Sequence, residues 1–174
     1  ASEAAQNFDP NSQPNRDDIS EQMLITIDPP DAKDYDDAIS LETDRDGNFV
    51  LGVHIADVSE FVPMDSPLDK EAKNRGNSVY LPQKVIPMLP ETLSNGICSL
   101  RPNEKRFAKS VYITYDSRGN ILARDFANSI IKSKARLTYT QADRIINGKS
   151  PDTEPAIAKL LKNMEKLARA IEKR

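Results

Sequence analysis

The chain has 174 residues, a formal net charge of −3, 38% hydrophobic residues and no tryptophan. That fits one domain of ordinary size or part of a larger one, and its apolar content is lean enough to leave room for a packing partner or a missing segment. A single cysteine, Cys98, excludes an internal disulfide framework and a Cys-based zinc site. No apolar run approaches the ~20 residues of a membrane span, and Ala1–Asn7 lacks a signal-peptide pattern, so a cytoplasmic protein is expected. Acidic and basic residues are segregated along the chain, so a modest net charge does not argue against a nucleic-acid partner.

Residues 1–21, rich in Asn, Asp, Gln, Ser and Pro, read as a linker. Met23–Ile27 is β-rich and stops against Pro29 and Pro30, which cannot continue a ladder. Ala38–Glu42, a turn at Asp46, Gly47 and Asn48, and a strand over Phe49–Val58 make a hairpin. Ser66 caps a helix with Pro67 in its first position, and Gly76 closes it. Val79–Leu81 is a short extended piece. Residues 82–106 are irregular, with four prolines and one helical turn over Glu91–Asn95. Phe107–Tyr115 and Ile121–Ile131 flank a turn at 116–120 and form a second hairpin. Thr138–Ile146 is a short helix ended by Gly148. Pro155–Arg174 is an amphipathic helix whose stripe includes Ile157, Leu160, Leu161, Met164, Leu167, Ala168 and Ile171. The fold class expected is α+β, a mainly antiparallel sheet with flanking helices.

Between the first two strands stand Asp28, Asp31, Asp34, Asp36 and Asp37, offset only by Lys33. Like charges held this close beside folded strands are costly unless a cation neutralises them. Hard oxygen donors select Mg²⁺ or Mn²⁺ over zinc. In an extended segment Asp34 and Asp36 share a face, with Asp37 on the other. Two alternatives stand beside the metal site. One is an acidic turn with no ligand. The other is a calcium loop, disfavoured because the EF-hand pattern needs Gly at its sixth position, where Lys33 stands.

These residues resemble a known family. Thr26–Ser40 (TIDPPDAKDYDDAIS) is similar to the acidic signature of the RNase II/RNase R exoribonucleases, the RNB domain. Gly52–Ser59 (GVHIADVS), Arg75–Pro82 (RGNSVYLP), Ile86–Leu100 (IPMLPETLSNGICSL) and Ala135–Thr140 (ARLTYT) match further blocks in order, closer to the RNase R branch. The resemblance implies that residues 22–174 are the N-terminal portion of an RNB catalytic domain. It implies a Mg²⁺-dependent, processive 3′→5′ exoribonuclease that hydrolyses single-stranded RNA to nucleoside 5′-monophosphates. It also implies roles: Asp28 and Asp37 as direct metal ligands, Asp36 closest to the chemistry, Asp34 supporting the metal or its water, and Tyr80 stacking on a nucleotide near the 3′ end. Asp31 falls outside that set.

Two basic stretches are candidates for tracking RNA phosphates: Arg101 with Lys105, Arg106 and Lys109, and a strand stripe of Lys132, Lys134 and Arg136. His54, between Val53 and Ile55, is expected as a hydrogen-bonded core residue. The family's domain extends beyond position 174 and is flanked by cold-shock and S1 domains, so the chain by itself is expected to be nearly inactive. The competing reading is a non-catalytic RNA-binding or scaffold member of the same fold.

Overall fold

The computed structural model describes residues 8–10 and 12–174. Its centre is a sheet of seven strands in the order β1 (Asp17–Asp18), β8 (Ile121–Lys132), β7 (Lys105–Tyr115), β4 (Phe49–Ala56), β3 (Asp37–Thr43), β2 (Leu24–Asp28) and β9 (Ala135–Thr138). Neighbours are antiparallel except at the two ends, where β1 runs parallel to β8 and β9 parallel to β2. Only Ser133 and Lys134 separate β8 from β9, although the two strands lie towards opposite edges of the sheet. One bent segment therefore joins β7 to β2 and curls the sheet upon itself. The fold is α+β and mainly antiparallel, as the alternation in the sequence indicates.

Both long hairpins turn on the same chemistry. Oδ1 of Asp44 accepts from the amides of Asp46 and Asn48, and Oδ1 of Asp116 accepts from those of Arg118 and Asn120. Each turn needs one left-handed residue, supplied by Gly47 and Gly119, both at φ 82°.

The inner face of the sheet combines large apolar side chains with alanines. Leu24, Ala38, Ala56, Leu100, Ala108 and Ile131 form its apolar core. On the outer face, Ile25, Ile39 and Leu41 pack against α2 (Tyr139–Ile146) and α3 (Pro155–Glu172) through Ala142, Ile145, Ile157, Leu160 and Leu161. Alternate residues on β2 thus serve two different cores. Thr138 and Gln141 form a capping box that starts α2 directly at the end of β9. The helix α1 (Pro67–Arg75) has Ser66 as its cap and Gly76 at its end, as expected.

The linker expected over residues 1–21 is corrected for residues 12–21; residues 1–7 and 11 lie outside the described part. Asp17 and Asp18 form β1, Ser20 is buried, and Arg16 reaches Asp57 at 2.7 Å and Glu60 at 2.9 Å. Phe8 packs edge-on against Phe61 and Phe107. These anchors are long-range, so local composition carries no trace of them. Residues 82–106 also hold more structure than expected: β6 (Lys84–Ile86) pairs with β5 (Val79–Leu81), and the helical segment spans Thr92–Ile97.

Candidate metal centre

Asp28 is the last residue of β2 and Asp37 the first of β3. The intervening loop returns the chain to the same end of the sheet. Asp34 and Asp36 lie in that loop, not on a strand, so the strand-face argument for them does not hold. The loop has no ladder of its own and is tied down by neighbours. Ser99, fully buried, donates its hydroxyl to the carbonyl of Lys33 at 2.8 Å and accepts the amide of Tyr35 at 3.1 Å. The amide of Leu100 donates to the carbonyl of Tyr35, and that of Ala56 to the carbonyl of Asp36. Arg106 braces this support by donating to the carbonyls of Ser99 and Lys105. Arg106, expected in the phosphate-tracking stretch, is instead buried here as a brace, and nothing in the sequence singles out Ser99 for its role.

The electrostatics are those of crowded carboxylates. Asp28 is nearly buried; burial raises its carboxyl above the ordinary range, Asp37 and Asp34 push the same way, and the nearby Thr26 hydroxyl and the charge of Arg136 oppose. Its Oδ2 is out of water with no hydrogen-bond partner. Asp36 keeps contact with solvent, yet protein atoms crowd it enough that loss of hydration is the main cause of its raised carboxyl, followed by Asp34, Asp37 and Asp28. Among the described residues, no three His, Cys, Asp or Glu side chains converge closely enough to hold an ion as they stand. The donor chemistry nevertheless fits a hard divalent cation: every donor is an oxygen, and one buried oxygen lacks a partner. Asp31 is exposed on the outer part of the loop.

The other expected site residues divide into two groups. Three stand by the loop. The phenol of Tyr80, on the exposed β5–β6 hairpin, lies 3.4 Å from Oδ2 of Asp34, whose charge raises the phenol's pKa. Arg101 lines a cleft with Lys33 and Tyr35 and donates to the carbonyl of Asn95. Arg136 donates to the carbonyls of Pro29 and Pro30. The remaining two, Lys132 and Lys134, pair with Glu21 at 3.2 and 3.7 Å. The three basic residues do not share a strand face, because the chain leaves β8 at Lys132 and enters β9 at Ala135.

His54 is fully buried, with Nε2 3.0 Å from Oγ of Ser40 and Nδ1 2.8 Å from Oγ of Ser110. Burial lowers its pKa to about 4, so it sits in the core as a neutral ring. Cys98 is buried and its thiol is pushed up to about 12, which removes it as a nucleophile.

Residues 16–174 match the family model described as the RNB domain. The chain belongs to the RNB family. Among curated proteins, it is 48% identical over 154 residues to ribonuclease R of Chlamydia trachomatis, covering 88% of this chain and 22% of that one. It is 46% identical over 150 residues to ribonuclease R of Escherichia coli, covering 86% and 18%. Among solved structures, the RNase R of Mycoplasma genitalium in complex with double-stranded RNA superposes with a TM-score of 0.89 at 35% identity, covering 99% of this chain and 31% of that one. The chain therefore spans about a fifth of the length of these curated relatives and carries the partial RNB fold of a ribonuclease R-like exoribonuclease. Among the described residues, no helix is long and apolar enough to cross a membrane.

Proposed function

We propose that this RNB chain is the acidic, metal-holding part of a cytoplasmic 3′→5′ exoribonuclease. The enzyme hydrolyses single-stranded RNA processively and releases nucleoside 5′-monophosphates. The observation that carries the proposal is the acidic end of the sheet, where Asp28 keeps a buried oxygen without a partner beside Asp34, Asp36 and Asp37. Asp28 and Asp37, on the two strand ends, and Asp34 and Asp36, on the loop, are the residues that would hold Mg²⁺, with Mn²⁺ as a substitute. A bound divalent ion supplies an activated water and neutralises charge on the departing 3′ oxygen.

The chain's own residues supply the rest. Ser99, Leu100 and Ala56 fix the backbone of the loop at Lys33, Tyr35 and Asp36, so the carboxylates are held without rebuilding the loop at each turnover. Asp36 orients the attacking water through its carboxylate. Tyr80 offers an exposed ring on which any terminal base can stack, which suits an enzyme that reads no sequence. Arg101 faces the cleft beside Tyr35 and suits a phosphate, as do Lys132 and Lys134 further away. The match of this chain with ribonucleases R supports the reading, and the RNA named with the Mycoplasma structure supports RNA as the partner class.

The test is Asp36→Asn in the full-length protein, followed on a 5′-labelled oligoribonucleotide with Mg²⁺. Loss of turnover by at least about a hundredfold, with RNA binding retained, is expected. Undiminished stepwise shortening would remove the catalytic reading and leave the scaffold reading in its place.

A further inference from the structure

We propose that Arg136 is a positioning residue that clamps the start of the acidic loop, not a contact to RNA. The proposal rests on the metal reading of that loop. In the β2–β9 pairing Arg136 lies opposite Thr26, and Thr138 opposite Asp28, so Arg136 shares a face with the strand end that carries Asp28. Its side chain runs on past that end. Nη2 donates to the carbonyl of Pro29 at 2.7 Å and to that of Pro30 at 2.8 Å. The guanidinium also lies over the ring of Tyr35, 5.6 Å from its centroid.

The sequence explains why such a clamp is needed. Pro29 and Pro30 have no backbone N–H, so the chain leaving Asp28 cannot extend the ladder from its own amides. The amide of Ala32 reaches the carbonyl of Pro29 at 3.2 Å, and Arg136 adds a second donor there and also reaches the carbonyl of Pro30. The far half of the loop is held by Ser99 and Leu100 at Lys33 and Tyr35. The loop is thus gripped at both ends: by Arg136 next to Asp28, and by Ser99 next to Asp34 and Asp36. Arg136 touches both halves, because the ring it covers belongs to Tyr35. In Arg136, Nε is shut off from solvent and Nη2 is engaged by two loop carbonyls, so the guanidinium is turned onto the loop.

Arg136→Met and Arg136→Lys, with Asp28→Asn as a reference, separate the possibilities. Amide exchange over residues 31–37 and Mn²⁺ affinity are measured on the chain; kcat and KM on a single-stranded oligoribonucleotide are measured in the full-length protein. In R136M the loop amides exchange faster, Mn²⁺ binds about ten- to a hundredfold more weakly, and kcat falls while KM stays within about twofold of its original value. R136K restores part of each loss. Unchanged loop exchange and Mn²⁺ affinity in R136M would overturn the proposal. So would a higher KM and shallower salt dependence at unchanged kcat, the signature of a lost phosphate contact. If D28N binds Mn²⁺ as well as the unaltered chain, the metal reading fails on its own, and loop exchange still decides the role of Arg136.

Discussion

The phenolic oxygen of Tyr80 stands 3.4 Å from Oδ2 of Asp34, which joins the exposed β5–β6 hairpin to the acidic loop across 46 residues of sequence. The contact places an aromatic face at the edge of the carboxylate cluster. If the ring serves as a stacking platform, Tyr80→Phe keeps it and changes little, whereas Tyr80→Ala raises KM about ten- to a hundredfold, the loss of about 1–3 kcal/mol of stacking per base. Steady-state kinetics of both variants in the full-length protein check this. A loss in Y80F equal to that in Y80A would assign the effect to the hydroxyl and its contact with Asp34.

Gly52 and Gly47 are predicted to resist substitution for different reasons. A Cβ on Gly52 would stand 2.3 Å from Oγ of Ser40 and 2.8 Å from Nε2 of His54, inside the core. Gly47 has open space around it but φ +82°. Gly52→Ala therefore costs about 1–3 kcal/mol by overpacking and by disturbing the Ser40–His54 bond. Gly47→Ala costs about 1 kcal/mol from backbone strain alone. Urea unfolding midpoints order the two.

His54 sets a pH dependence of stability. The unfolded ring takes up a proton near 6.5, whereas the folded one does so only at about 4. Through that window the unfolded state binds more protons, so stability is complete above 6.5 and is lost as pH falls. Between about pH 7 and 5 the loss from this group is about 2 kcal/mol. His54→Gln removes that part of the slope, and chemical denaturation of both proteins at the two pH values measures it.

Arg16 and Asp57 form an ion pair at 2.7 Å with side chains 5% and 1% exposed. Burial raises the Asp57 carboxyl, but bonds from Ser59 and Arg16 and the charge of Lys109 outweigh it and leave it below the ordinary range. Removing either partner leaves the other in a dry site with only its lesser partners, Glu60 for Arg16 and Ser59 with Lys109 for Asp57, so Arg16→Met and Asp57→Ala each cost less than the ~3–5 kcal/mol of a fully unpaired buried charge. The double variant costs less than their sum. A double-mutant cycle on unfolding free energy tests both statements.

What was legible in the sequence follows from how local each cause is. Ser66, Pro67 and Gly76 delimit α1, and the Asp–x–x–Gly–Asn turns at 44–48 and 116–120 delimit the hairpins, because their chemistry acts over four or five residues. The stripe of α3 is legible too, and buries Ile157, Leu160, Leu161 and Leu167. The acidic loop was visible as a cluster, and the family blocks narrowed five aspartates to four. Its supports were not visible, since Ser99 reaches Lys33 across 66 residues and Arg136 reaches Pro29 across 107. β1 was hidden for the same reason: Arg16 and Asp18 sit in a polar stretch and are ordered by Asp57 and Lys105, far along the chain. Lys105 holds the Asp18 carboxyl down to about 2.

The central claim is that Asp28 and Asp37 hold a divalent ion. Titration of the chain with Mn²⁺, followed by the loss of the free-ion electron paramagnetic resonance signal, tests it most directly. The account predicts saturable binding that Mg²⁺ competes away and that Asp28→Asn and Asp37→Asn each weaken by at least about tenfold. Binding indifferent to both substitutions, or no saturable binding at all, would contradict it.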